Sequence, residues 1–352
     1  MTQRRVITES FDLYPDDAYA AGYGLLSTWA GSGLDYNSSP NLVAGRFAGS
    51  RAVNLQGSAA IVRPVPSTLM SAVGFAIKRG LIVAVTHPIF RFYSTYSNVQ
   101  LMLSADEIGR LILNRGGDPN ANQIAVSDNV CLINNTWHYV EIEMYLHDSA
   151  GICNVYLDGV IVPGLSFVGD TRASSDLDIS KVGFVTSTSV FSPAYTLGID
   201  DLYVEVDGHA RVGEGRMEVM VPNTTTSNTG WTQSTGATIW GVIDEHPVNI
   251  TDYADALMAG DVFRCGATDL PYAPEHVFGV QIESLSTKNE AGTRILRNKI
   301  WGVTLSADGA DRAQTLNTFT WGRDWFPREP DLGAVWTLSE LTTLDIGVEI
   351  VT

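Results

Sequence analysis

The sequence predicts an all-β chain built from two folding units. Short runs of alternating apolar and polar residues recur from end to end, Gly, Asn, Asp, Ser and Pro separate them, and helix-period segments are almost absent. Strands at this spacing form sandwiches or barrels rather than βαβ units. At 352 residues the chain is too long for one typical core, so two domains of ordinary size follow. No internal period repeats, which disfavours a propeller or a solenoid.

Taken in order, the clear strand candidates of the first half are 51–55, 72–77, 81–85, 89–93, 99–103, 111–113, 138–146, 151–157, 181–185 and 200–206. The domain boundary falls at Asp207-Gly208-His209-Ala210, where the strand-like IDDLYVEV ends, and gives domains at 1–207 and 208–352. Within the second, TTTSNTG at 224–230 is polar enough for an exposed loop. Strands are expected at 276–285, 299–305, 317–321 and 346–351, with one short helix at 337–344 capped by Thr337 or Ser339.

Composition excludes several function classes. Apolar residues make up 45% of the chain, charged residues only 17%, and the formal net charge is −17. A surface short of Lys and Arg cannot replace the counterions around phosphates, so no nucleic-acid partner is expected. No apolar run of about 18 residues occurs, and two arginines near the start are followed by no apolar stretch, so neither membrane insertion nor a signal peptide is expected. Cys131, Cys153 and Cys265 form no CxxC and read as buried thiols, with a Cys131–Cys153 cross-strand bridge as the alternative. Neither HExxH nor Walker A nor GxSxG is present.

The stretch WHYVEIEMYL is the most informative. Alternation places Tyr139, Glu141, Glu143 and Tyr145 on one face and Val140, Ile142, Met144 and Leu146 on the other, so one face is core and the other faces out. A short HDSAG turn leads to a second strand, and Asp158-Gly159 then suits a tight turn with positive φ.

Here the chain resembles a family. The order W-H-x-V-E-I-E, turn, V-Y-L-D-G-V-x-V at 137–162 resembles the central strands of concanavalin A-like (laminin-G-like) jelly rolls. Thr8-Glu9-Ser10-Phe11-Asp12 is similar to the opening strand, Arg51-Ala52-Val53-Asn54-Leu55 to the second and Ile199-Asp200-Asp201-Leu202-Tyr203-Val204 to the closing one, so the resemblance covers about residues 6–206. The C-terminal part, with IDEHP, GTRILRNKIWGVT and LDIGVEIV, resembles a β-rich domain that follows this jelly roll in structural proteins of tailed bacteriophages.

The resemblance implies a jelly roll followed by a smaller C-terminal β-sandwich for docking or oligomerisation. It implies a non-enzymatic virion protein at the tail tip, baseplate or fibre, assembled in the bacterial cytoplasm. The jelly roll would be displayed for attachment to a host-surface glycan. Partners would be other virion proteins and further copies of the chain, with trimeric or higher symmetry. A head decoration or spike protein and a carbohydrate-active depolymerase are the alternatives.

Glycan binding would fall on Tyr139, Glu141, Glu143 and Tyr145, where rings stack on sugars and carboxylates hold hydroxyls. Some hydrolases of this fold carry three acids along such a strand, and retaining chemistry needs two carboxyl groups roughly 5–5.5 Å apart. Here position 145 is Tyr and 146 is Leu, so the third acid is missing and no catalysis is expected. No cofactor is expected beyond a structural calcium, for which the pairing of first and last strands would bring Glu9, Asp12, Asp200 and Asp201 together.

The C-terminal part holds six of the eight tryptophans, Trp231, Trp240, Trp301, Trp321, Trp325 and Trp336. Such a concentration suits a core or a docking surface. In RDWFPR, Arg323, Trp325, Phe326 and Arg328 read as an exposed aromatic turn between arginines, the candidate contact with another virion protein.

Overall fold

The computed structural model describes residues 4–15, 25, 29, 40–56, 59–80, 86–186, 196–236 and 238–352. The predicted strand at 81–85 lies outside them. The chain is all-β, and it divides into two compact units, one ending at Met217 and one formed by Glu218–Thr352 with Leu13–Pro15.

The first unit is a jelly-roll sandwich of two antiparallel sheets. Its larger sheet runs β12 (Val160–Gly169), β11 (Gly151–Leu157), β10 (Trp137–Tyr145), β5 (Met70–Arg79), β14 (Thr196–Val206), β3 (Arg51–Gln56) and β2 (Asn41–Ala44), and β1 (Arg4–Glu9) also pairs with β14. The second runs β4 (Ala60–Thr68), β13 (Ile179–Val185), β6 (His87–Tyr93), β7 (Val99–Ala105), β8 (Leu111–Arg115) and β9 (Gln123–Val126).

Alternation decides what lies between the sheets. Val73, Phe75 and Ile77 of β5 face the same side as Val140, Ile142 and Met144 of β10, and all six are buried. Phe75 meets Phe90 and Phe184 of the facing sheet at ring-centroid distances of 5.4 and 4.9 Å. Cys131, Cys153 and Cys265 are free buried thiols, and no Cys131–Cys153 bridge forms. Burial raises the Cys153 thiol far above its ordinary range and keeps it inert.

The Asp158-Gly159 turn has the predicted geometry, with φ of 49° and 80° joining Leu157 to its partner Val160. Asp158 also receives the Tyr139 amide at 2.8 Å and lies 2.9 Å from His138 Nδ1, which ties the turn back to β10.

The second unit holds a sheet ordered β15 (Pro222–Thr229), β18 (Val262–Ala267), β24 (Asp345–Ile350), β20 (Ile295–Trp301) and β21 (Ser306–Asp308), with β22 (Arg312–Ala313) also on β20. Two ribbons complete it, β16 (Thr232–Gln233) with β17 (Ala254–Asp255), and β19 (Val280–Ser286) with β23 (Thr320–Phe326). Trp336, Ile282, Ile300, Phe326, Leu341 and Leu344 form its largest described core cluster. The helix spans Leu338–Thr342, and Thr337 caps it in a box with Glu340.

Several expectations are corrected here. TTTSNTG is largely strand: β15 pairs with β18 along a chain of exposed side chains, so apolar alternation could not reveal it, although its β-branched threonines favour an edge strand. Of the expected strand 317–321 only Thr320 and Trp321 are strand, at the start of β23, and 299–305 overlaps only the end of β20. Residues 303–305 instead turn so that their amides reach the Asp331 carboxylate at 2.6–2.9 Å.

Candidate functional site

The outward face of the larger sheet carries the residues singled out in the sequence. Along β5 that face is made of Ala72, Gly74 and Ala76, which pair with Glu143, Glu141 and Tyr139 on β10. These small residues leave a trough between β10 and β14. Tyr203 of β14 fills it, and a Cβ at Gly74 would sit 2.2 Å from the Tyr203 ring.

The chain leaving β14 then folds over the trough. Glu141 accepts from Tyr203 Oη at 2.7 Å, from the Gly213 amide at 2.7 Å and from Arg211 Nη1 at 2.8 Å. The Val212 amide donates to Tyr203 Oη at 3.1 Å, and Val212 and Met217 pack on Tyr139 and Tyr203. Tyr139 and Glu141 are fully buried, which corrects the expected solvent-facing strand side: alternation predicted the direction of these side chains, and a segment 70 residues downstream covers them.

The rest of that face is open. Glu143 is half-buried and accepts from Asn154 Nδ2 at 3.1 Å and Tyr156 Oη at 3.0 Å. Asn154 accepts in turn from Ser166 on β12 at 2.7 Å. The Arg211 guanidinium lies 4.3 Å from the centre of the Tyr156 ring, and Tyr145 and His147 bring their rings to 5.7 Å. Burial and the Glu143 carboxylate raise the Tyr156 phenol above its ordinary range, so it rests protonated as a donor. The site therefore offers two rings for stacking beside a carboxylate, an amide and hydroxyls that can hold sugar hydroxyls.

Of the four predicted glycan residues, Glu143 and Tyr145 reach this open half, and Tyr139 and Glu141 do not. Asn154, Tyr156 and Arg211 were not foreseen. The short HDSAG turn fixes the hairpin register that sets Asn154 opposite Glu143 and Tyr156 opposite Glu141. Nothing local marks Arg211.

The four predicted calcium ligands do not form one set. Glu9 turns to Trp29 Nε1 at 3.3 Å and Arg63 at 3.5 Å. A β-bulge in β14, with Asp201 at φ 50°, turns Asp200 and Asp201 out of strict alternation. Asp200 accepts the Arg46 amide at 2.8 Å, Asp201 the Met217 amide at 2.8 Å, and Arg46 Nη1 stands 3.6 Å from Asp201. Burial and the adjacent Asp201 push the Asp200 carboxyl up to about 8, and burial pushes Asp201 up to about 6 with Asp12 adding to it. Among the described residues no three His, Cys, Asp or Glu side chains converge to hold a metal ion.

In the second unit, the expected exposed turn is mostly strand. Arg323, Trp325 and Phe326 lie in β23; Arg323 pairs with Glu283 at 2.7 Å and reaches Tyr14 Oη at 2.8 Å, and Phe326 is core. Arg328 alone of the four lines a cavity of about 550 Å³, beside Phe278, His276 and Trp336.

No protein-family model matches the chain, and no curated protein matches it in sequence. Among solved structures, alginate lyase Aly36B aligns at 13% identity over 58% of this chain and 98% of its own, with a TM-score of 0.42. Trypanosoma rangeli sialidase aligns at 14% identity over 46% of this chain and 26% of its own, with a TM-score of 0.33. A tetrameric galectin from the ball sponge Cinachyrella sp. aligns at 13% identity over 41% and 97%, with a TM-score of 0.30. Two of these three are enzymes by name, and the expectation of a non-enzymatic chain is not upheld. None of the three is a phage virion protein.

Proposed function

We propose that the first unit binds a glycan on the open half of its larger sheet. The observation that supports this is the half-exposed cluster of Glu143, Asn154, Tyr156 and Ser166, hydrogen-bonded in series beside the Tyr145–His147 ring pair. Sugars present an apolar ring face and a rim of hydroxyls, and this surface offers the complement of both. A glycan array probed with the full chain tests it: binding to a defined set of glycans, lost in Tyr145→Ala and Asn154→Ala, supports the reading, and an empty array overturns it.

One contact favours a depolymerase on the same face. Tyr156 Oη and Glu143 form a donor and acceptor pair 3.0 Å apart at the surface, a proton relay that a binding face alone does not require. The paired-glutamate mechanism is not available, because Glu141 is buried and occupied by Arg211, Tyr203 and Gly213. Release of reducing ends from a bound polysaccharide, abolished in Glu143→Gln and Tyr156→Phe well beyond any loss of binding, is the expected result. Unchanged release in both variants sinks this reading. Display of the unit on a phage particle belongs to the same proposal and is tested by antibody-gold labelling of purified particles.

A further inference from the structure

We infer that the open sheet face selects uncharged sugars and rejects uronates and other acidic sugars, an inference that rests on the glycan-binding reading of that face. Recognition of a sugar carboxylate needs a cation free to meet it, commonly a guanidinium in a two-pronged contact. Among the described residues, each guanidinium bordering this open half already has a carboxylate. Arg211 is held by Glu141 at 2.8 Å, Arg5 by Glu205 at 2.9 Å and Arg172 by Asp148 at 3.1 Å.

Glu143 is the charge left over. Its carboxylate accepts from the Asn154 side-chain amide, the Tyr156 phenol and the Arg211 backbone amide, all neutral donors. His147 Nδ1 is engaged within its own turn, by the Ser149 and Ala150 amides and 3.1 Å from Asp148. A sugar carboxylate arriving beside Glu143 meets like charge, on a chain of net charge −17. Like charges about 4 Å apart weaken binding about fivefold in bulk water and up to about a thousandfold near a protein surface, so a loss of about tenfold is a conservative expectation for this half-open site. Glu141 is thus a positioning residue for specificity: by occupying Arg211, it engages the guanidinium that stands on the Tyr156 ring.

The test uses matched pairs of oligosaccharides that differ only in oxidation of the sugar, galacto-oligosaccharide against oligogalacturonate and cello-oligosaccharide against oligoglucuronate. Binding to the full chain is measured by calorimetry at low and high salt. The neutral member of a pair is expected to bind roughly tenfold tighter at low salt, with the gap narrowing as salt screens the charge and in Glu143→Gln. Tyr145→Ala should abolish binding of the preferred member, which places the measured site on this face. Equal or tighter binding of the acidic member overturns the inference and leaves the glycan reading standing. Silence across both sets, together with an empty array, overturns the glycan reading and the inference with it.

Discussion

Tyr203 lies across Gly74 and donates its hydroxyl to Glu141 at 2.7 Å, so a glycine on one strand is what lets two neighbouring strands join side chains over it. Gly74→Ala would drive a Cβ to within 2.2 Å of the Tyr203 ring. The ring must move, and the strained packing is expected to cost about 1–3 kcal/mol. Urea denaturation against wild type measures it, and a midpoint unchanged by the substitution would show that the ring has another place to go.

Glu141 is expected to matter for stability before it matters for function. Glu141→Ala leaves Arg211, Tyr203 and the Gly213 amide without their acceptor in a buried place, for a loss of roughly 3 kcal/mol. Protease cutting within 210–217 should become faster at the same time, because that segment loses the carboxylate that pins it. A variant with wild-type melting and no new cleavage would contradict this account.

The aspartate pair predicts a pH dependence with a definite sign. The folded carboxyls of Asp200 and Asp201 lie at about 8 and about 6, above the ordinary 3.8. Between about pH 4 and pH 8 the folded chain therefore holds protons that the unfolded chain has released, and stability falls as pH rises through that window. Melting temperature is expected to be higher near pH 5 than near pH 8.5, with the slope reduced in Asp200→Asn. An equal slope in that variant would assign the dependence to other groups.

In the second unit, Thr337 and Glu340 close a reciprocal cap on a helix of five residues. Thr337→Ala is expected to lower stability by about 1 kcal/mol, and Thr337→Ser to restore most of it. Chemical denaturation followed by tryptophan fluorescence reads the change directly, since Trp336 adjoins the cap and lies in the core.

Legibility differed between the two units for a physical reason. Strands buried on one face alternate in hydrophobicity, so β10 and β11 were readable to within a residue, and Asp158-Gly159 announced its turn by needing positive φ. β15 carries almost no buried side chain, and only its backbone pairing to β18 makes it a strand. RDWFPR looked like a surface turn because aromatics and arginines mix there, whereas the pairing of Arg323 with Glu283 lets the strand continue.

By itself the sequence determined the all-β class, the two-sided character of β10 and the outward direction of Tyr139, Glu141, Glu143 and Tyr145, because strand periodicity is a local property. Only the tertiary structure decided which of those side chains stay open. Arg211 and Gly213 reach Glu141 from 70 and 72 positions away, and the bulge at Asp201 breaks the alternation that placed its neighbour. Burial of an outward-facing carboxylate depends on whichever distant segment covers it, and a strand's own pattern carries no record of that segment.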